Sequence, residues 1–458
     1  MKWQFGGTKG ENLEEQEAFD PQPVTTFEVD KELDKLLNLK TSIHRKLLDR
    51  INLGMLERLS REQIQDEIGD IVLGLLMEED AALNANERKR LVGEVLDELL
   101  GLGPLEPLLA DESITDILVN GHKDVFVERF GILERVSTRF QDEKHLLRII
   151  QKIVSAVGRR VDESSPFVDA RLADGSRVNA IVAPLAIDGS LLSIRKFAKK
   201  RIGMEKLIEL GSIPQAVADV LAAIVKSRRN VLISGGTGSG KTTLLNALSS
   251  YIDGRERIVT IEDSAELQLQ QEHVARLETR PANIEGRGEV TQRDLVKNAL
   301  RMRPDRIILG EVRSGEAFDM LQAMNTGHDG SMTTVHANTA RDSLSRVEQM
   351  IGMSGIEISP TSARAQIASA VNVVIQIGRQ ADGRRRLLSL SELVGMEGQT
   401  ITMQEIFRFK MEGRGENGEV LGRHEATGIR PKFLESAAEH GIAVPADLFR
   451  PNLDLGKA

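Results

Sequence analysis

The residues best suited to chemistry are Gly235-Gly236-Thr237-Gly238-Ser239-Gly240-Lys241-Thr242. They follow the apolar run Val231-Leu232-Ile233 and precede Thr243-Leu244-Leu245-Asn246-Ala247-Leu248. This is G-x-x-x-x-G-K-[ST] in its required setting, a buried strand feeding a tight turn that opens a helix. Glycines let successive backbone N–H groups turn inward around an anion, because no Cβ stands in the way. The helix N-terminus adds a partial positive charge. Lys241 reaches the outer phosphates, the Thr242 hydroxyl is placed to ligate Mg²⁺, and Gly235 through Thr243 form the cradle. The pattern points to a nucleotide-binding protein.

Hydrolysis needs more than a cradle: a carboxylate to orient water or metal, positive charge at the transferring phosphoryl, and a sensor of the third phosphate. Each role has a candidate downstream. Thr260-Ile261-Glu262-Asp263-Ser264-Ala265-Glu266 places adjacent carboxylates after an apolar strand, and Ile307-Ile308-Leu309-Gly310-Glu311 ends a second apolar strand on an acid beside Arg313. Ligand sites in open α/β sheets lie at such carboxyl ends. A third cluster, Thr326-Gly327-His328 through His336-Ala337-Asn338, is rich in small and hydroxyl residues. Its two histidines are eight apart, which is not a metal-helix spacing, so a hydrogen bond to the γ-phosphate is the favoured role. Arginines are dense at 276, 280, 301, 303, 306 and 313. Most suit surface or ion-pair positions, and one or two suit neutralising phosphoryl charge, in cis or across a subunit boundary.

The elements that must position these groups follow from pattern and composition. From Ile213 onward, strands at 230–234, 257–262 and 306–311 alternate with helices starting near Lys241, Thr291 and Ser314, which predicts an α/β fold with a largely parallel sheet. Ahead of it, residues 103–197 read as a mixed α/β domain. It has strands at 114–119 and 125–130 joined across Asn120-Gly121, and a helix carrying Leu146, Leu147, Ile150, Ile153 and Val154. Further strands lie around 178–182 and 191–195. Residues 198–213 read as a basic linker, 214–410 as the nucleotide-binding domain and 411–458 as a C-terminal tail. Residues 30–102 predict three amphipathic helices, with stripes Ile43-Leu47-Leu48-Ile51, Ile64 to Leu76 and Leu91 to Leu100. Ser60 and Gln63 make a capping-box pattern for the second helix, and the third starts after Asn86. The bundle either closes on itself or docks a partner. Residues 1–29, with Gly6-Gly7 and Pro21-Gln22-Pro23, predict a disordered leader.

Composition narrows the partners. The 458 residues have room for several domains, and no run approaches the roughly 18 apolar residues of a membrane span. No signal pattern opens the chain, so a cytoplasmic protein is expected. Without cysteine there are no disulfides and no thiolate metal sites. A net charge of −9 and only one Trp and one Tyr argue against nucleic acid as the main partner.

Together these stretches resemble the secretion ATPase superfamily, the hexameric motors of type II and type IV secretion and of type IV pili. Thr260–Glu266 is similar to its Asp box, Ile307–Glu311 to its Walker B segment and Gly327–His336 to its His box. The likeness spans about residues 103–410. Within the superfamily the chain resembles the tight-adherence (Flp/Tad) pilus assembly ATPases through VDESSPFVDARLADGSRVNAIVAP (161–184), RLETRPANIEG (276–286), NALRMRPDRIILGEVR (298–313) and QAMNTGHDGSMTTVHAN (322–338). LVGMEGQTITMQEIFRF (393–409) and TGIRP (427–431) extend the likeness.

The resemblance implies a PAS-like N-terminal domain at about 103–197, preceded by the three-helix module and joined flexibly to a RecA-like P-loop motor at about 214–410. It implies a homo-hexamer that uses ATP and Mg²⁺, acting peripherally at the inner membrane with pilus platform proteins and indirectly on pilin. Carried onto this chain, it assigns Glu311 and Glu262 to the attacking water, either one as general base, and His336 to γ-phosphate sensing. Arg195, Arg177, Arg171 and Arg280 are assigned to developing charge. Thr242, with help from Glu262 or Glu311, is assigned to the metal. Gly310 stands where many P-loop enzymes carry a metal-associated Asp, and the tetracysteine module of type II secretion ATPases is absent. The rival readings are a type IV secretion ATPase moving protein or DNA, a nucleic-acid translocase, and a nucleotide-gated scaffold.

Overall fold

The computed structural model describes residues 39–40, 42–47, 49–50, 61–79, 83–129, 131–197, 202–282, 286–416 and 418–457. Its contacts divide the chain into two compact units, Met1–Ala110 and Asp111–Ala458. The expected leader, Ser60, Leu48 and Ile51 fall outside the described residues, as does the side chain of Ile64.

The first unit is helical. Residues 42–47 and the helices Arg61–Glu78 and Ala85–Leu100 pool Ile43, Leu47, Ile68, Val72, Leu75, Leu76, Leu91 and Val95 into one core. Each helix brings a single apolar stripe, and the bundle is how three such stripes leave water together. The last helix begins two residues earlier than its sequence suggests. Asn84, not Asn86, is the N-cap: Asn84 Oδ1 accepts the amides of Asn86 and Glu87, and the Glu87 carboxylate accepts the Asn84 amide. This reciprocal capping box satisfies three N–H groups that no helical carbonyl reaches.

The second unit holds two sheets. The smaller is antiparallel, in the order β3-β2-β1-β6-β5-β4. Its strands are β1 (Ile114–Asn120), β2 (Asp124–Arg129), β3 (Ile132–Val136), β4 (Phe167–Arg171), β5 (Arg177–Ile181) and β6 (Leu191–Arg195). Asn120 pairs with Asp124, leaving a three-residue hairpin loop that turns through Gly121 at φ 68°. Strict alternation puts Ile117, Val119, Val178, Ala180, Leu192 and Ile194 on the face covered by helix Glu143–Ala156. The opposite face is organised in three cross-strand rows by the register. Asp116, Arg195, Arg177 and Arg171 form one row; Leu118, Ser193, Asn179 and Asp169 the next; Asn120, Leu191, Ile181 and Phe167 the third. All three arginines singled out in this domain thus stand side by side.

The larger sheet has ten strands in the order β16-β15-β14-β13-β12-β7-β11-β10-β8-β9. Strands β7 (Val231–Ser234), β8 (Ile258–Glu262), β9 (Val274–Glu278), β10 (Arg306–Leu309), β11 (Met332–Val335) and β12 (Val373–Arg379) run parallel. Every residue of β7, β8, β10 and β11 is buried, because helices cover both faces, and this is why these strands read as continuous apolar runs.

Two expected boundaries differ. Within the supposed linker 198–213, Met204–Glu209 is a helix whose Met204 and Leu207 enter the core of the larger sheet, as does Ile213; residues 198–201 fall outside the described residues. The supposed tail after residue 410 is part of the same sheet. Strands β13 (Arg385–Glu397), β14 (Thr400–Arg414), β15 (Val420–Ala426) and β16 (Asp454–Lys457) extend it antiparallel, and Phe433, Phe449 and Leu455 join the core beneath β7. These apolar residues are thinly spaced among charges and turns, so their destination is decided by pairing with β12 rather than by a local pattern.

Candidate nucleotide site

The carboxyl ends of β7, β8, β10 and β11 converge on one cavity of about 610 Å³. The loop Gly235–Gly240 leaves β7 and enters helix Lys241–Ser249 through Gly240, at φ 96°, with Gly238 at φ 68°. Only glycine takes this left-handed backbone at no steric cost. Gly235 is required for a different reason: a Cβ there would lie 2.4 Å from the Ile377 carbonyl oxygen and 2.6 Å from Ser239 Oγ. The loop is a cradle that side chains would fill. Thr237, Gly238, Ser239, Gly240, Lys241, Thr242 and Thr243 line the cavity.

Lys241 is 7% exposed, and burial pushes its ammonium pKa down against the pull of Glu311. Its Nζ donates to the carbonyls of Gly235 and Gly236, each at 3.0 Å, and lies 3.4 and 3.3 Å from His336 Nδ1 and Nε2. His336 Nε2 is in turn 3.0 Å from Glu311 Oε1, while Arg313 donates to Glu311 Oε2 at 2.8 Å. Burial lowers the imidazole pKa, so the ring is neutral near pH 7. The tautomer with its proton on Nε2 donates to Glu311 and presents Nδ1 to the lysine. Four groups from three strand ends thus meet in one hydrogen-bonded chain.

Glu262, at the end of β8, is 3% exposed, and burial raises its pKa. Its Oε2 accepts the amides of Glu266 at 2.7 Å and Leu267 at 2.8 Å, while Oε1 is buried without a hydrogen-bond partner. An orphaned carboxylate oxygen on the wall of a phosphate cradle fits a site that receives a cation. Gly310 faces this side chain: a Cβ at 310 would stand 3.0 Å from Glu262 Cγ. The absent Asp therefore has a steric cause, since Glu262 already fills its space.

The arginines divide. Arg177 and Arg195 line the phosphate cavity, and Arg171 and Arg280 do not. Arg195 Nε lies 3.3 Å from Asp116. Arg177 donates to the Ser264 carbonyl at 3.1 Å and pairs with Glu266 at 3.1 Å. Arg280 belongs to an adjoining cavity of about 1010 Å³, where its Nε donates to the Gly288 carbonyl at 2.7 Å; in this chain it does not face the phosphate loop. Arg306 is no surface residue: it is 1% exposed and bound twice to Glu256. His328 Nδ1 donates to the Ala323 carbonyl, 3.2 Å away, and does not line the cavity.

Two positioning groups escaped the sequence. Asn230 Oδ1 accepts the amides of Gly330 and Ser331 and its Nδ2 donates to the Ala370 carbonyl, fixing the start of β11 and so the reach of His336. Arg385, on the β12–β13 hairpin, donates from Nε to the Gly238 carbonyl at 2.8 Å and lines the cavity. The Asp382-Gly383 dipeptide is a hairpin signal that could have drawn notice to this turn, but nothing local ties it to a loop 147 residues away.

A model of the Type II/IV secretion system protein family matches residues 98–421. A putative conjugal transfer protein of Mycobacterium tuberculosis is 42% identical over 307 residues, covering 66% of this chain and 87% of that one. The type IV secretion system protein PtlH of Bordetella pertussis is 35% identical over 317 residues, covering 63% of this chain and 93% of the other. Among solved structures, the VirB11 ATPase of the Brucella suis type IV secretion system is 28% identical, with 63% of this chain and 95% of that chain covered and a TM-score of 0.35. With more than half of its length matched by one family model, and a phosphate loop set in that matched segment, the chain belongs to the Type II/IV secretion system protein family.

Proposed function

We propose that this chain is a Mg²⁺-dependent ATPase that works as a homo-hexamer and powers assembly of a Flp/Tad type IV pilus through nucleotide-driven rotation of its domains. The observation that carries the hydrolytic reading is Glu311, held between His336 and Arg313 above the Lys241 ammonium. Loop amides and Lys241 bind the β- and γ-phosphates of ATP. Glu311 is the general base: it follows β10 beside the phosphate loop with Arg313 and His336 each holding one oxygen, whereas Glu262 is tied by one oxygen to the Glu266 and Leu267 amides. His336 reports the γ-phosphate to Lys241 and Glu311. Arg177 and Arg195 neutralise developing charge, in cis or from a neighbouring subunit. Thr242 and Glu262 would hold Mg²⁺, which supplies charge neutralisation across the outer phosphates.

The pilus assignment rests on the stretches at 161–184, 276–286, 298–313, 322–338, 393–409 and 427–431, and implies a position on the cytoplasmic face of the inner membrane with platform proteins as partners. A second reading, a type IV secretion motor moving protein or DNA, is favoured by the relatives named for conjugal transfer and for type IV secretion. Phosphate release by the purified chain with Mg²⁺, wild type against Glu311→Gln, tests the ATPase. Glu311-dependent release from a particle of hexamer mass is expected, and release that survives the substitution overturns it. Cells carrying only Glu311→Gln then separate the two machines. Loss of surface pili with DNA transfer and protein export intact supports the pilus reading, and the reverse supports the secretion motor.

A further inference from the structure

The arginine row on the small sheet has one member that never reaches the phosphate cavity, yet none of its guanidinium nitrogens is idle. Arg171 Nε donates to the Gly175 carbonyl at 3.1 Å, NH2 donates to the Ala265 carbonyl at 2.6 Å, and NH1 pairs with Glu278 Oε2. That same Glu278 oxygen accepts the Ala265 amide at 3.0 Å. Ala265 is therefore gripped at both its N–H and its C=O by one ion pair, with Arg276 adding a long contact of 3.5 Å to the carbonyl. The next two amides in the chain, those of Glu266 and Leu267, are the ones that bind Glu262 Oε2.

We infer that Arg171, acting with Glu278, is a positioning residue for Glu262: a latch from the small sheet that sets the Ala265–Leu267 backbone and through it the carboxylate at the end of β8. Among the described hydrogen bonds these two amides are the only donors to Glu262, and its second oxygen is buried without a partner. Rotation of the two peptide groups therefore swings the carboxylate directly. Arg177 holds the preceding Ser264 carbonyl and so works on the same loop, but it also lines the phosphate cavity and cannot isolate the effect. Arg171 lies off that cavity, so removing it alters Glu262 without deleting a contact to phosphate. The latch also makes the orientation of Glu262 depend on docking of the small sheet, since Arg171 ends β4 while Ala265 and Glu278 belong to the motor. This inference rests on the ATPase reading for its kinetic arm alone.

The test uses the full chain and the variants Arg171→Ala and Glu278→Ala, each with melting matched to wild type. Amide hydrogen exchange without nucleotide is followed in the peptide spanning 263–268, and ATP hydrolysis is measured across ATP concentration. Both variants are expected to speed exchange at Glu266 and Leu267 by about tenfold or more. They are expected to lower kcat by roughly 10–100-fold with the KM for ATP within about twofold, because a misplaced group costs rate without costing phosphate binding. Unchanged exchange in both variants overturns the latch, and so does a KM raised in step with the fall in kcat/KM, which would mark Arg171 as a phosphate contact. If one variant does not fold, the other decides. A wild type that releases no phosphate sinks the ATPase reading instead, and the exchange arm still judges the latch.

Discussion

His336 Nε2 and Glu311 Oε1 lie 3.0 Å apart although they arrive from the ends of β11 and β10, and both stand over Lys241. The neutral imidazole is the only group that touches both the lysine and the carboxylate among the described hydrogen bonds. Replacing it should leave the cradle intact and misalign the acid. For His336→Ala, kcat is expected to fall about 10²-fold, the scale of losing one donor aligned with developing charge. Nucleotide affinity, read by fluorescence titration, should change less than about threefold. Undiminished turnover would remove His336 from the mechanism.

Gly310 tests the steric account of the missing Asp. A Cβ there meets Glu262 Cγ at 3.0 Å, and Glu262 has little freedom to retreat while two amides hold its carboxylate. Gly310→Ala should cost about 1–3 kcal/mol in a urea titration, as over-packing does. Gly310→Asp should abolish phosphate release, since a second carboxylate is forced against the first. Normal activity in the Asp variant would show that the site accepts the arrangement used by other P-loop enzymes.

How much of this was legible in the sequence depended on range. The loop 235–242 declares itself because strand, glycines, lysine and helix are contiguous, and the acids at 262 and 311 follow fully buried strands that read as apolar runs. The amphipathic helix at 143–156 and the hairpin across Gly121 are similarly local. What escaped was set by pairing across long stretches of chain. β14 carries Lys410, Glu412 and Arg414 at its exposed end, so it fades into an apparent tail, though its middle packs Ile406 and Phe407 into the core. Arg306 suits a surface or an ion-pair position by sequence, and its buried ion pair could not be singled out because the partner Glu256 lies 50 residues away.

That Arg306–Glu256 pair yields a stability prediction. Arg306 donates from Nε at 2.7 Å and from NH2 at 2.8 Å to the two Glu256 oxygens, and from NH1 to the Val225 carbonyl at 2.9 Å, all in the interior. Breaking one side strands a buried charge. Arg306→Ala should destabilise by about 3–5 kcal/mol, less whatever the half-exposed Arg228 at 3.1 Å recovers. The double variant Arg306→Met with Glu256→Met should lose much less, because no charge is left behind. Chemical denaturation of the three proteins compares them, and equal losses in single and double variants would refute the stranded-charge argument.

His424 gives a pH dependence whose direction is fixed by its surroundings. The ring is fully buried on β15, its Nε2 donates to the Leu387 carbonyl at 2.8 Å, and its Nδ1 has no partner. Burial, the larger influence, and the nearby Arg386 drive its pKa below the ordinary 6.5. A folded state that resists the proton is penalised when the unfolded chain takes it up. The contribution of His424 is thus fully present above about pH 6.5 and is lost as pH falls below it, with a slope of at most about 1.4 kcal/mol per pH unit. His424→Gln keeps a donor for Leu387 and removes the titration. Urea midpoints of both proteins at pH 7.5, 6.5 and 5.5 should therefore diverge, the wild type declining more steeply on acidification. Parallel declines would assign the acid sensitivity to other groups, because every titration the two proteins share cancels in the difference.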